Sequence, residues 1–447
     1  MAAAGQGSHI QPESEPLTVP LLLQTENGGG DGDAPQSQRG GVRSQKVSCC
    51  GRRLWLAALT LCLTILAVVV IRHWVIIYIE QRCDPRAPVI NRLFEGRSLH
   101  PKFPKAVCLD GSPGRYYIRH GWGGGADKWV FYFEGYNYCA DALDCASRIP
   151  YWYGSTTADP DYDPPRKLMQ TWSPWQFHPS CVTNPLMYNW NQVLIRYCDG
   201  GYFAGDREEP VHAKGTTEDG DYVDTMLFYR GRYITEGVFQ DLFDRGRFGS
   251  ASDIVVSGCS SGGANVLAHL DYMRSRLLPS GARVVGLVDS GFYLDPDDED
   301  LWKRYLVYPQ GQNGTAMINA SCLQRFADSP EKCLMGVISA GYCNTDLFLW
   351  QSRYDVNQEW DCWPNAQCYR DFGDNITYWI NRTILNRPRN AAFVDSCSRH
   401  CPSGIAHSDV TGRNVMQYFA DWYNGVAGVP FLEGQFKHTY PCKGCCT

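Results

Sequence analysis

The 447-residue sequence predicts an α/β domain, a largely parallel sheet flanked by helices, preceded by one transmembrane helix. Three observations carry this reading. Short β-branched or aromatic runs alternate with helical stretches beyond residue 128; a Gly-x-Ser-x-Gly turn joins one such run directly to a helix; and an uncharged 18-residue run, Leu54 to Ile71, stands near the N-terminus.

Residues 1–53 are rich in Gly, Ser, Gln and charged side chains and poor in aromatics. Such a segment cannot bury enough apolar surface to fold, so a disordered cytoplasmic tail is expected. Pro16 to Leu23 fits either a sorting signal or a short apolar patch, and Cys49 and Cys50 are candidate palmitoylation sites beside the membrane. The run from Leu54 to Ile71 contains only two threonines as polar residues. As a helix it reaches roughly 27 Å, enough for a thin bilayer. The aromatic-bracketed segment Trp74 to Ile79 extends the expected signal anchor to residues 54–79. Arg39, Arg43, Lys46, Arg52 and Arg53 precede it and favour a cytoplasmic N-terminus, against a weaker opposing set of Arg72, Arg82 and Arg86. A 53-residue polar leader is too long for the n-region of a cleaved signal peptide. Four Asn-x-Ser/Thr sequons, at Asn313, Asn319, Asn375 and Asn381, all lie beyond the span as candidate glycosylation sites. The expected topology is a single-pass type II membrane protein with its bulk in a lumen or outside the cell.

Cysteine usage agrees. Of 20 cysteines, Cys49, Cys50 and Cys62 lie in the tail or span, leaving seventeen in residues 83–447. That density suits an oxidising compartment, and an odd number leaves at least one thiol free or paired between chains. Cys442, Cys445 and Cys446 raise the alternative of zinc, but no Cys-x-x-Cys pairs recur at suitable spacing. A net charge of −6 with no basic run after the membrane argues against nucleic acid as a partner. Aromatics make up 13% of the chain, and Trp122, Trp129, Trp172, Trp175, Trp360 and Trp363 suit core packing or stacking on sugar faces.

Residues 80–447 are enough for one large α/β domain. Expected strands are Lys128 to Glu134, Val193 to Tyr197, Asp253 to Ser257, Val284 to Val288 and Asp346 to Gln351; helices fall around Ile234–Asp244 and Ala264–Leu278. Each strand ends in glycines or aspartates, which is where a parallel sheet places function. Gly258-Cys259-Ser260-Ser261-Gly262 has the form of a nucleophile elbow, which lifts the Ser260 hydroxyl above the sheet. A serine hydroxyl needs a base, and the base an orienting acid. In α/β-hydrolase order both follow the serine. Of the later histidines, His269 lies on the helix leaving the elbow and His438 in the cysteine-rich tail. His400 sits between Cys397 and Cys401 in an expected loop, and His407 is a rival. Asp355 and Asp289 both end candidate strands and both remain candidates for the acid.

Several blocks in order from about residue 85 to 445 resemble the pectin acetylesterase family, which includes the carboxylesterase Notum. They are Phe133-Glu134-Gly135 with Cys139 and Cys145, Tyr188-Asn189-Trp190-Asn191, Arg196 to Gly200, Ser257 to Gly263, Val288 to Phe292, Gln351 to Asp355, Asp395-Ser396-Cys397 with His400-Cys401, and Tyr440-Pro441-Cys442. The resemblance implies an α/β-hydrolase-like fold and a triad of Ser260 as nucleophile, Asp355 as acid and His400 as base, with no metal or organic cofactor. It also implies an oxyanion hole from the Gly135, Tyr136 and Asn137 loop together with the Ser261 N–H. Glu134-Gly135-Tyr136-Asn137-Tyr138 departs from the usual Glu-Gly-Gly-Trp, and Ser261 stands where alanine is common. The expected function is a membrane-anchored serine carboxylesterase that removes O-acetyl groups from a polysaccharide or glycan. A lipid or protein deacylase and a catalytically silent glycan-binding protein are the alternatives.

Overall fold

The computed structural model describes residues 58–71, 93–158, 166–168, 175–294, 307, 311–358, 362, 365–401, 413–426 and 431–432. Residues 58–71 form helix α1, whose apolar side chains, from Leu59 to Ile71, are exposed. Its length is about 21 Å, short of the roughly 30 Å hydrocarbon core of a bilayer. Among the described residues no helix is long and apolar enough to cross a membrane. The remainder of the expected span, 54–57 and 72–79, lies outside the described residues, as do the tail 1–53, His407, His438 and the cysteines at 442, 445 and 446.

The remaining elements follow in chain order. They are β1 (Leu93–Ser98), β2 (Arg115–Arg119), β3 (Lys128–Phe133), α2 (Ala142–Ser147), β4 (Arg166–Leu168), β5 (Asn191–Ile195), β6 (Val211–Thr216), β7 (Tyr222–Leu227), α3 (Gly231–Asp244), β8 (Asp253–Cys259) and α4 (Ser261–Arg276). After these come β9 (Arg283–Asp289), α5 (Ala320–Arg325), α6 (Gly336–Tyr342), β10 (Leu347–Tyr354), α7 (Ala366–Thr383), β11 (Ala391–Ser398), α8 (Val415–Tyr423) and β12 (Phe431–Leu432). Ten strands form one sheet in the order β12-β11-β10-β9-β8-β3-β5-β2-β1-β4. The strands from β12 to β5 run parallel, and β2, β1 and β4 add an antiparallel edge. The largely parallel sheet is as expected; the antiparallel edge and the separate β6–β7 hairpin are additions.

Side chains on successive strand residues point to opposite faces, and the core divides accordingly. Phe131, Val193, Ile254 and Val256 pack beneath α3, α4 and α7 through Ile234, Val238, Val266, Leu270, Ile376 and Ile380. On the other face Val130, Leu194, Val255, Leu287 and Trp350 meet α8 through Met416 and Phe419. Both faces being covered explains why the β10 run Leu347–Tyr354 is buried throughout rather than alternating. Capping fixes the helix starts: the Asn365 side chain accepts from the Gln367 and Cys368 N–H groups, and Asn414 forms a capping box with Gln417.

Disulfides join Cys108–Cys198, Cys139–Cys145, Cys259–Cys401, Cys322–Cys333 and Cys362–Cys368. Cys343 is a buried free thiol, pushed up by desolvation. Among the described residues the other free cysteine is Cys62, exposed on α1.

Candidate active site

The site gathers at the carboxyl ends of β8, β10 and β11. The strand β8 runs two residues further than expected, to Cys259, and α4 begins at Ser261, so Ser260 is the entire turn between them. Its φ of 59° and ψ of −127° put a β-carbon-bearing residue in strained backbone, the geometry of a nucleophile elbow. Gly262 is required because a β-carbon there would sit 2.1 Å from the Phe133 carbonyl oxygen at the end of β3. The Ser261 N–H opens α4 without an intrahelical partner, at the positive end of a 16-residue helix.

Asp355 follows directly on β10, and His400 lies two residues past β11. The expected loop around His400 is corrected here: Ala391–Ser398 is a strand paired in parallel to β10, so Cys397 lies in the sheet and the turn is shorter. Adjacent parallel strands bring the two side chains together, with His400 Nδ1 2.7 Å from Asp355 Oδ1. Asp355 is fully buried and saturated with donors. Gln351 Nε2 donates to Oδ2 at 2.8 Å, Gln358 Nε2 donates to it at 3.3 Å, and the Asn357 N–H donates to Oδ1 at 3.0 Å. His400 Nε2 is buried without a hydrogen-bond partner. The Cys259–Cys401 bridge ties the residue before Ser260 to the residue after His400, with Cα atoms 5.9 Å apart.

Asp289, the rival acid, is otherwise engaged. It accepts from Ser290 Oγ at 3.0 Å and pairs with Arg399 at 3.5 Å, while burial pushes its carboxyl up to about 6. Arg399 is itself buried, paired with Asp395 at 2.6 Å and 4.7 Å from the Trp350 ring centre. Ser290 Oγ accepts from Arg399 Nη1 and from the Cys401 N–H, each at 3.2 Å. The Asp289-Ser290 turn thus braces the His400 segment, while the hydrogen bond of the imidazole Nδ1 goes to Asp355. His269 is enclosed within α4, its Nδ1 2.8 Å from Asn265 Oδ1, and burial lowers it to about 3.

Two features escaped the sequence. Tyr293 Oη lies 3.0 Å from Ser260 Oγ, and burial holds the phenol well above its usual range, so it stays protonated. A lone tyrosine after Gly291-Phe292 carries no motif that marks it. The second concerns the expected oxyanion loop. Gly135 approaches the elbow so closely that a β-carbon would fall 2.1 Å from the Cys259 carbonyl and 2.8 Å from Ser260 Cβ. The Tyr136 N–H, however, donates to Ser261 Oγ at 2.9 Å. Asn137 adopts a positive φ of 53°, and its carbonyl accepts from Tyr197 Oη at 2.6 Å. Ser261 therefore occupies the Tyr136 donor, an interaction an alanine could not make.

Residues 99–447 match the pectinacetylesterase family profile. The chain belongs to the pectin acetylesterase family. It is a carboxylic ester hydrolase, like the relatives it resembles. It is 27% identical to pectin acetylesterase 11 of Arabidopsis thaliana over 360 residues, 71% of this chain and 84% of that one. It is 30% identical to the human palmitoleoyl-protein carboxylesterase NOTUM over 216 residues, 46% of this chain and 38% of that one. Its fold matches the crystal structure of the Wnt deacylase Notum from Drosophila with a TM-score of 0.64 at 20% identity, covering 79% of this chain and 99% of that one.

The four sequons differ in setting. Asn375 and Asn381 are exposed along α7. Asn313 is half-buried and donates to the Asp206 carbonyl. Asn319 Nδ2 donates both to Asp271 Oδ2 and to the Tyr342 carbonyl, each at 3.0 Å, leaving the amide nitrogen no spare proton.

Proposed function

We propose that the chain is a membrane-anchored serine esterase that removes O-acetyl groups from a polysaccharide or glycan. The observation that supports the mechanism is the combination of a strained Ser260 with a buried, partner-free His400 Nε2 whose other nitrogen is held by Asp355. In this reading His400 Nε2 takes the Ser260 proton as Oγ attacks the ester carbonyl, and Asp355 stabilises the imidazolium. Tyr293 Oη shares a 3.0 Å hydrogen bond with Ser260 Oγ in which either hydroxyl can donate; when the phenol donates, the serine proton is free to turn to the histidine. The oxyanion forms against the Ser261 N–H and the N–H groups of Gly135 and Asn137, the Tyr136 N–H being held by Ser261 Oγ. The alcohol departs with the proton from His400, and water, deprotonated by the same nitrogen, releases the acid.

Acetyl is the acyl group of this reading. The pectin acetylesterase relatives favour the same substrate class. A lumenal or extracellular site is supported by the disulfides. Anchoring is supported by the exposed apolar surface of α1 and the uncharged run around it. The test is hydrolysis of p-nitrophenyl acetate and octanoate by the full-length protein. Acetate preference is expected; octanoate preference would transfer the reading to a lipid deacylase of the kind NOTUM is named for.

A further inference from the structure

The loop that carries Tyr136 continues into an aromatic cluster that the ester-hydrolysing residues do not use. The Tyr136 ring stacks on Tyr153 with centroids 3.8 Å apart and planes 16° from parallel, and Tyr153 stacks on Tyr151 at 5.2 Å and 8°. Trp152 meets Tyr136 edge-on at 5.2 Å. Tyr136 is 42% exposed and Tyr151 53% exposed, so large aromatic surface faces solvent one residue from the nucleophile's neighbour Gly135.

The cluster is held rigidly. Arg148 donates to the Tyr136 carbonyl at 3.2 Å and to the Tyr138 carbonyl, while its guanidinium lies 5.9 Å from the Tyr153 ring centre. The Cys139–Cys145 disulfide closes the loop at its base. Charged groups border the rings: Arg196 stands 4.8 Å over Trp152 and pairs with Glu134 at 2.7 Å. Fixed aromatic rings edged by phenol hydroxyls, guanidinium and carboxylate offer apolar faces for sugar C–H groups and hydrogen-bonding partners for sugar hydroxyls. A fatty chain would use the faces and leave the polar rim unmatched.

We propose that Tyr136 and Tyr151, fixed by Tyr153, form a glycan subsite that seats sugar residues flanking the acetylated one. The subsite rests on the glycan reading for its biological substrate, but it binds sugar rings rather than the ester. Ordering the side chains in advance removes much of the entropy cost of binding. The subsite therefore holds oligosaccharides whether or not they carry acetyl groups.

The experiment uses the full-length chain with Ser260→Ala, so that nothing is consumed. Isothermal titration measures binding of an oligogalacturonide and a xylo-oligosaccharide, each partly O-acetylated and each saponified. At least one saponified probe is expected to bind; Tyr151→Ala weakens it roughly five- to tenfold, and Tyr151→Trp restores it. Tyr378→Ala, at a similarly exposed tyrosine (51%) on α7, leaves it unchanged. No binding of any probe, or equal binding with Tyr151→Ala, would overturn the subsite. Acetate release by the wild-type chain is assayed separately. Release without Tyr151-dependent binding rejects the subsite alone, and Tyr151-dependent binding without release rejects the acetylesterase reading alone.

Discussion

Gly135→Ala is the substitution most directly costed by the geometry. The added methyl would fall 2.1 Å from the Cys259 carbonyl oxygen, against 3.4 Å where ordinary contact begins, so loop and elbow must part by about 1.3 Å. The methyl would also meet Ser260 Cβ at 2.8 Å and the Ser261 nitrogen at 3.1 Å, which leaves no lateral escape. Both partners are backbone or begin at backbone, and the elbow is tied to the His400 turn through Cys259–Cys401. The loop therefore moves, and its N–H groups leave the position where charge develops. Removing one oxyanion donor costs about 2.7–4 kcal/mol, or ~10²–10³ in kcat. A misplacement near 1 Å costs about as much. Steady-state hydrolysis of p-nitrophenyl acetate should show kcat falling roughly 100- to 1000-fold with KM changed only a few-fold. Near-UV circular dichroism checks that the variant is folded, and Gly124→Ala, where a β-carbon meets nothing within 4 Å, is the control. A folded Gly135→Ala protein within tenfold of wild-type kcat would refute the oxyanion-loop argument.

Other perturbations read different parts of the account. Replacing Cys259 and Cys401 together by serine should lower the melting temperature, since a bridge spanning 142 residues is worth about 2–5 kcal/mol. It should also cut kcat, because His400 loses its tether to the elbow; unchanged kcat would show that the bridge serves stability alone. Asp199 is buried, accepts from the Gly201 and Phe203 N–H groups, has one carboxylate oxygen without a partner, and is pushed up to about 7 by desolvation. Its folded pKa exceeds the unfolded one, so its contribution is full below about pH 4 and is lost as pH rises towards 7. Asp199→Asn should therefore gain melting temperature relative to wild type between pH 5 and pH 8, and a pH-independent difference would contradict this. If the domain is lumenal, glycopeptide mapping should find sugar on Asn375 and Asn381 and none on Asn319, whose amide protons are both used. Occupied Asn319 would require its bonds to Asp271 and Tyr342 to break.

The elbow was legible because it is local: a strand, the one-residue turn at Ser260 and a helix all appear within Asp253–Arg276, in order. The choice between Asp289 and Asp355 was not open to spacing, because both end parallel strands. What distinguishes them in the fold is Arg399, whose guanidinium reaches back over 110 residues to Asp289, while His400 bonds Asp355. The family resemblance, not periodicity, selected Asp355. Strand β11 was hidden by its composition, Ala-Ala-Phe-Val-Asp-Ser-Cys-Ser, too short an apolar run to stand apart from a loop. The β6–β7 hairpin carried a usable signal in the Asp219-Gly220 turn between Thr216 and Tyr222. Cysteine pairing cannot be deduced from spacing, so the Cys259–Cys401 bridge emerged only from the fold. The Tyr136 to Ser261 hydrogen bond likewise needed coordinates, since its partners stand 125 residues apart.

The central claim is that Ser260 forms the acyl-enzyme. Rapid-quench mass spectrometry of the full-length protein mixed with p-nitrophenyl acetate tests it most directly. The account predicts a burst of nitrophenol with one acetyl group on the peptide containing Ser260, and neither burst nor adduct in Ser260→Ala. Turnover that survives Ser260→Ala, or an acetyl group carried on a different residue during the burst, would contradict it.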